Sequence, residues 1–228
     1  MKHTYLLVNL CAFAVPFLFS FHPKLKFYKV WNAFFPAANI SALLFVLWDI
    51  LFTQLGVWRF NPSYITGNYF LNLPVEELLF FFCIPYCCIF SYHCFTQFNK
   101  LQLSDKLTTI ISNILISFLV LTAIVAFPKL YTTLTFFLLA MLLIIVKYIL
   151  NLQWLGRFYG VYLVLLIPFL IVNGILTGTG LQEPVVIYND TQNLGLRILT
   201  IPVEDVFYGM LLILLNVLLF ETFKRKHI

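Results

Sequence analysis

Charged side chains are scarce in this sequence, and their scarcity excludes an ordinary soluble domain. Of the 228 residues, 10% are charged and 62% are hydrophobic, whereas soluble domains carry about 25% charged residues. The net charge of +5 does not indicate a nucleic-acid partner, because the basic residues lie at the ends of apolar segments. We therefore interpret the chain as an integral membrane protein that contacts lipid and binds no nucleic acid.

The sequence also lacks the motifs of common cofactor and metal sites. It has no Gly-x-Gly-x-x-Gly fingerprint, no Walker loop and no His-rich di-iron pattern. Its five cysteines have no metal-like spacing with histidine, and four of them crowd one apolar segment, as ordinary small buried residues do. We therefore predict no cofactor, no metal site and no disulfide.

Long apolar segments fill most of the chain. A spanning helix needs about 20 apolar residues. Seven segments qualify: about 4–21, 33–53, 73–95, 107–127, 130–150, 159–177 and 201–223. The first ends without a small-x-small cleavage site, so we interpret it as a transmembrane helix and not as a signal peptide.

The basic residues predict the orientation of these spans. With seven crossings, ten of the 14 Lys and Arg residues fall on the side of the C-terminus and four on the side of the N-terminus. Basic residues concentrate on the cytoplasmic side of membrane proteins. We therefore expect a multi-pass protein of the cell membrane, with its N-terminus outside and its C-terminus in the cytoplasm.

One motif occurs twice, 128 residues apart. Both copies open an apolar segment, and an Asn and a Gly precede each at matching distances: Asn61, Gly67 and Pro74-Val75-Glu76-Glu77, then Asn189, Gly195 and Pro202-Val203-Glu204-Asp205. The fourth segment adds one crossing between the two three-segment units, so both units run in the same direction and the repeat is parallel. We predict an all-α membrane protein with three-helix units at residues 1–99 and 130–228, joined by a linking transmembrane helix at 100–129.

The duplicated acid pairs are the candidate functional residues, because acids in membrane helices are costly. Capping is the structural alternative, since acids in a first turn gain about 0.3–1 kcal/mol from the helix dipole. Adjacent helical residues point about 100° apart, so one acid of each pair can act while the other caps. We favour Glu76 and Glu204 as the inward-facing acids, with Asp49 near the same membrane surface and Arg59 and Arg197 as candidate counter-ions.

Aromatic and amide side chains accompany the acids along the sequence. Trp58, Asn61 and Asn189 lie in the loops before the motifs, and Phe80 and Tyr208 follow in the apolar segments. Aromatic rings can line an apolar cavity and stabilise a cation through their faces, although aromatic belts are also usual at this depth. We expect these five residues to contact a substrate.

The motifs resemble the lycopene cyclase domain of the heterodimeric carotenoid cyclases. The resemblance rests on Pro-x-Glu-acid at two helix starts, on Phe207-Tyr208-Gly209 after the second copy, and on Trp48-Asp49 followed by Gly56-x-Trp58. The chain is similar to a fusion of both subunits. The resemblance implies cofactor-free cyclisation of the linear ends of lycopene to β-rings, an intramolecular lyase or isomerase reaction of carotenoid biosynthesis that gives β-carotene.

On that resemblance, the acid/base residues are Glu76, Glu77, Glu204 and Asp205, with Asp49 as a further candidate that has no assured partner in the second unit. Lycopene is then the substrate, and other carotenoid enzymes are the expected protein partners. Which acid donates the proton and which base removes one stays open.

Three alternatives also stay open. The chain could form other rings, as a C50-carotenoid or ε/γ-type cyclase, because ring type depends on which proton leaves. A proton-coupled small transporter would use the acids as an ion site, but it predicts acids near the bilayer midplane. A carotenoid-binding scaffold protein gives no reason for duplicated acid pairs.

Overall fold

Seven α-helices carry most of the chain in the computed structural model, which describes residues 2–226. They are α1 (Thr4–Phe19), α2 (Trp31–Gln54), α3 (Val75–Gln97), α4 (Asp105–Val125), α5 (Leu130–Ile144), α6 (Leu155–Leu176) and α7 (Val203–Lys226). A π-helical turn, Ile145–Ile149, extends α5. Residues 227–228, the end of the predicted second unit, lie outside the described residues.

The lengths of these helices confirm the predicted membrane architecture. Within the described residues, six helical segments are long and apolar enough to cross a membrane. The seventh, α1, is apolar but has 16 residues, and at 1.5 Å per residue it reaches about 24 Å. The protein is therefore an all-α, multi-pass membrane protein.

Six short strands lie in the loops: β1 (Trp58–Phe60), β2 (Tyr69–Phe70), β3 (Leu73–Pro74), β4 (Val186–Tyr188), β5 (Arg197–Ile198) and β6 (Ile201–Pro202). Strands β2 and β3 form a hairpin directly before α3, and β5 and β6 form the matching hairpin before α7. Each hairpin turns at a leucine with positive φ, Leu71 at 55° and Leu199 at 57°. The repeat seen in the sequence is thus also a repeat of the backbone.

The two repeated halves are interlocked. Within the halves, α1 packs on α3 and α5 on α7, while α2 packs mainly on α7 of the other half and α6 packs on α3. Inside the α2–α7 contact, the buried Asn216 Nδ2 donates a hydrogen bond to Ser41 Oγ at 2.7 Å. The unpaired helix α4 packs against α5 and α6. Side chains from both halves therefore meet in one interior.

Candidate active site

Strands β1 and β4 join the two halves in an antiparallel ribbon. Trp58 pairs with Tyr188, Arg59 with Ile187, and Phe60 with Val186. Because equivalent residues of the two copies are 128 apart, Arg59 and Ile187 are equivalent to each other, and the pairing is symmetric about them. Such a self-matching contact is the signature of a two-fold axis. The ribbon shows that the halves are related by a pseudo-two-fold axis.

The second acid of each duplicated pair faces a cavity, and the first does not. Glu77 and Asp205 line a cavity of ≈ 270 Å³ between the halves, together with Asp49. Glu76 Oε1 instead accepts a hydrogen bond from the Thr66 backbone N–H at 2.6 Å, and it does not line the cavity. The expectation that Glu76 faces inward is therefore wrong.

Glu204 repeats the behaviour of Glu76 in the second half. Its Oε1 accepts hydrogen bonds from the Leu194 backbone N–H at 2.7 Å and from Thr132 Oγ1 at 2.6 Å. The expectation that Glu204 faces inward is wrong for the same reason. A loop N–H ten residues upstream captures the first acid in both copies, and the 100° step of the helix then turns the second acid toward the cavity.

Glu77 and Asp49 form a pair of neighbouring buried acids. Both carboxyl groups line the cavity, and both residues are almost completely buried. The Tyr5 hydroxyl donates to Glu77 Oε2 at 2.5 Å, and the Tyr208 hydroxyl donates to Asp49 Oδ1 at 3.2 Å. Two ionised carboxylates side by side in a buried site repel each other, which favours a proton on one of them.

Asp205 has a different environment, made of neutral donors. Its Oδ1 accepts from the Tyr131 hydroxyl at 2.6 Å, and its Oδ2 accepts from Asn173 Nδ2 at 2.7 Å and from the Tyr188 hydroxyl at 3.0 Å. Burial and the neighbouring Asp205 raise the pKa of Tyr188 well above its usual value, so its phenol stays protonated and donates. Three donors favour the ionised form of a carboxyl group.

The two acid environments are equivalent in backbone but differ in chemistry. Tyr5 and Tyr131 occupy matching places in α1 and α5. Near the ends of α2 and α6, Val57 N–H bonds to the Phe52 carbonyl and Val185 N–H to the Leu176 carbonyl. Phe52 and Leu176 are therefore equivalent. Asp49 and Asn173 lie at the same distance before them, so these two residues are equivalent as well. A carboxyl group thus faces Glu77 in the first half, and an amide faces Asp205 in the second.

Aromatic rings form much of the remaining wall. Of the predicted substrate contacts, Trp58, Phe80 and Tyr208 line the cavity. The Trp58 ring centroid lies 5.2 Å from that of Tyr131 and 6.3 Å from that of Tyr208. The edges and faces of these rings surround the space beside the acids, where they can stabilise positive charge.

The two predicted asparagine contacts lie elsewhere. Asn61 Oδ1 accepts from the Ser63 N–H at 3.0 Å, and its Nδ2 donates to Glu183 at 2.8 Å. Asn189 Oδ1 accepts from the Thr191 N–H at 3.1 Å. Neither residue lines the cavity. Both asparagines stabilise the turns that follow the ribbon strands.

The predicted counter-ions are also wrong. Arg197 forms a salt bridge with Asp190 at 2.6 Å on the surface, and Arg59 is exposed on the ribbon. Partial burial by itself would raise the pKa of Asp190, but the hydrogen bonds from Arg197 and Asn193 lower it below its usual value. The cavity acids are instead surrounded by hydroxyl and amide groups.

Several cavity residues could not be predicted from the sequence, among them three that donate hydrogen bonds to the acids: Tyr5, Tyr131 and Asn173. They lie in α1, α5 and α6, and the pairs α1/α5 and α2/α6 correspond at offsets other than the 128 of the motif. Aligning the apolar segments one by one would have paired Tyr5 with Tyr131 and Asp49 with Asn173. Within residues 2–226, no group of three His, Cys, Asp or Glu side chains is placed to hold a metal ion.

Comparison with known proteins agrees with the duplicated architecture. The family model for lycopene cyclase matches two segments of the chain, residues 2–95 and 128–223. No curated protein and no solved structure matches the chain significantly. The two matched segments cover most of the sequence, and each contains one copy of the acid motif. By these matches the chain belongs to the lycopene cyclase family, and it is a carotenoid cyclase.

Proposed function

We propose that this protein is a lycopene β-cyclase that works without a cofactor, by acid/base catalysis at a single site shared by both halves. The observation that carries the proposal is the meeting of three carboxyl groups, Asp49, Glu77 and Asp205, in one aromatic cavity. Its product is β-carotene when both ends of lycopene react. The reaction is an isomerisation, so no oxidant or reductant is consumed.

The Asp49–Glu77 pair is the proton donor in this proposal. A proton held between two buried acids is available for transfer to an alkene. It adds to the terminal double bond of the linear end and leaves a tertiary carbocation. The internal double bond attacks that cation, and a six-membered ring closes.

Asp205 is the carboxylate that stabilises the cation in this proposal. Hydrogen bonds from Tyr131, Asn173 and Tyr188 favour its carboxylate form, and a carboxylate stabilises a nearby cation. Loss of a ring proton from the cyclised cation then gives the β-ring. That proton goes to Asp205 or to the carboxylate left on the Asp49–Glu77 pair, so the site returns to its initial number of protons.

The membrane setting completes the proposal. We place residues 1–99 and 130–228 as the two units and 100–129 as the link. The ribbon side lies outside the cell membrane and the C-terminus in the cytoplasm, in keeping with the distribution of basic residues. The apolar substrate arrives through lipid, and other carotenoid enzymes supply it.

The experiment is to express the chain in a lycopene-accumulating bacterium and to analyse the pigments. β-Carotene is the expected product. ε- or γ-rings would move the assignment to the corresponding cyclase type. Unchanged lycopene, with the protein present in the membrane, would overturn the proposal. Asp205→Asn tests the site within the same assay, because it keeps the shape of the side chain while removing its charge.

A further inference from the structure

The cavity does not end at the acids. It continues along α3 from Glu77 past Ile84 and Cys87 to Ser91. Glu77 and Ser91 lie 14 residues apart in one helix, which is about 21 Å along its axis. The continuation is a groove that leads from the reacting acids deep into the membrane-spanning part of the protein.

The groove opens sideways, between α1 and α6. Ala12 and Pro16 of α1 form one wall, and Leu165 and Pro168 of α6 form the other. Pro168 is exposed and Ser91 is partly exposed. A spanning helix crosses about 30 Å of hydrocarbon, so an opening along the middle turns of α3 faces lipid tails.

The equivalent positions of the second half carry larger side chains. On α7, Leu215 and Leu219 are equivalent to Cys87 and Ser91, since these residues also lie 128 apart. Both leucines pack against the main core, and neither lines the cavity. The longer side chains occupy the space that the thiol and the hydroxyl leave open.

The wall formed by α1 differs in the same direction. The match of Tyr5 with Tyr131 makes Ala12 and Pro16 of α1 equivalent to Leu138 and Leu142 of α5. Larger side chains again stand in the second half. The groove thus runs between α1 and α3 of the half that contains the carboxyl pair and α6 of the other half.

We propose that this groove binds the linear polyene part of the substrate while one end lies among the acids, and that Cys87 and Ser91 determine its capacity through their small size. The inference rests on the proposed cyclase function. The groove is continuous with the acid site, apolar, elongated and open to lipid, which fits a long hydrocarbon that arrives through the bilayer. Because one groove serves one set of acids, each visit of the substrate closes one ring.

The test is the double substitution Cys87→Leu with Ser91→Leu, which introduces the residues that the second half already carries. Membranes with this variant and with the unsubstituted protein receive two acyclic substrates. One is lycopene, and the other has the same reactive end but a polyene too short to reach Cys87. We expect conversion of lycopene to fall about tenfold or more, because the groove is overfilled, and conversion of the short substrate to stay unchanged.

Cys11→Leu is the matched control, because it makes the same change at an exposed position of α1 and should convert both substrates normally. Equal conversion of lycopene by the double variant and the unsubstituted protein would overturn the proposal that the groove binds the polyene. Equal loss with both substrates would also overturn it, because the effect would then lie at the acids or in the fold. If the unsubstituted protein closes no ring on either substrate, the cyclase proposal itself fails.

Discussion

Replacing Asp49 with asparagine separates the proton chemistry of the site from its architecture. The second half already contains this arrangement, since Asn173 Nδ2 donates to Asp205 at 2.7 Å. The introduced amide would offer Glu77 the same kind of partner, and its oxygen could still accept from the Tyr208 hydroxyl. The change therefore keeps a hydrogen-bonding side chain at this place and removes one of the two facing carboxyl groups.

The expected loss follows from the role of a general acid. Positioned acids contribute about 10²- to 10⁴-fold to a rate, which corresponds to about 3–5 kcal/mol of transition-state stabilisation at about 1.4 kcal/mol per factor of ten. One altered neutral hydrogen bond changes stability by only about 0.5–1.5 kcal/mol. We therefore expect cyclisation to fall by at least about a hundredfold, with near-normal amounts of protein in the membrane.

The assay measures cyclised and linear pigment per amount of membrane protein in a lycopene-accumulating strain, over a time course short enough to resolve rates. Asp190→Asn is the control, because it is the same substitution on an exposed carboxyl group outside the cavity, and it should leave the rate unchanged. A rate for Asp49→Asn above about a tenth of the unsubstituted value would refute the general-acid reasoning.

Three further predictions use the same strain. Glu77→Gln should abolish cyclisation. Glu76→Gln should retain most of it, because an amide oxygen can still accept from the Thr66 N–H. Equal loss in both variants would show that Glu76 takes part in the reaction. Tyr131→Phe should slow the reaction about tenfold or more, since a hydrogen bond to a charged group contributes about 1.5–3 kcal/mol, and an unchanged rate would show that Asp205 does not act as a carboxylate. Pigment sampled early should contain the monocyclic product before the bicyclic one, as chromatography can establish, and simultaneous appearance of both rings would contradict a single groove.

Much of the fold could be predicted from the length of the apolar segments and the spacing of the duplicated motif. Seven apolar segments, the duplicated motif and the pseudo-symmetric arrangement all follow from patterns that repeat along the chain, and the helices confirm them. The direction in which each acid points could not be predicted from the sequence, because a pair of adjacent residues leaves the rotation of the helix undetermined. The loops that lead into the hairpins before α3 and α7 set that rotation, because the Thr66 and Leu194 N–H groups bind Glu76 and Glu204.

The donors around the acids were harder to predict for a second reason. Tyr5, Tyr131 and Asn173 come from helices that are distant in sequence from the motif, and loops of unequal length separate them from it. The groove needed a comparison of both halves, residue by residue. A cysteine or serine in an apolar helix is unremarkable by itself, and it gains meaning only when a leucine stands at the equivalent position.

The ribbon of β1 and β4 also bears on how water is kept from the carbocation in the proposed reaction. Its side chains Trp58, Phe60, Val186 and Tyr188 form the part of the cavity wall that lies beyond the helix ends. Water reaching a tertiary carbocation would trap it as an alcohol, and enclosed sites prevent such side reactions. In the reaction proposed above, the two strands that hold the halves together would also keep hydration from competing with ring closure and would leave carboxylates as the bases that end the reaction.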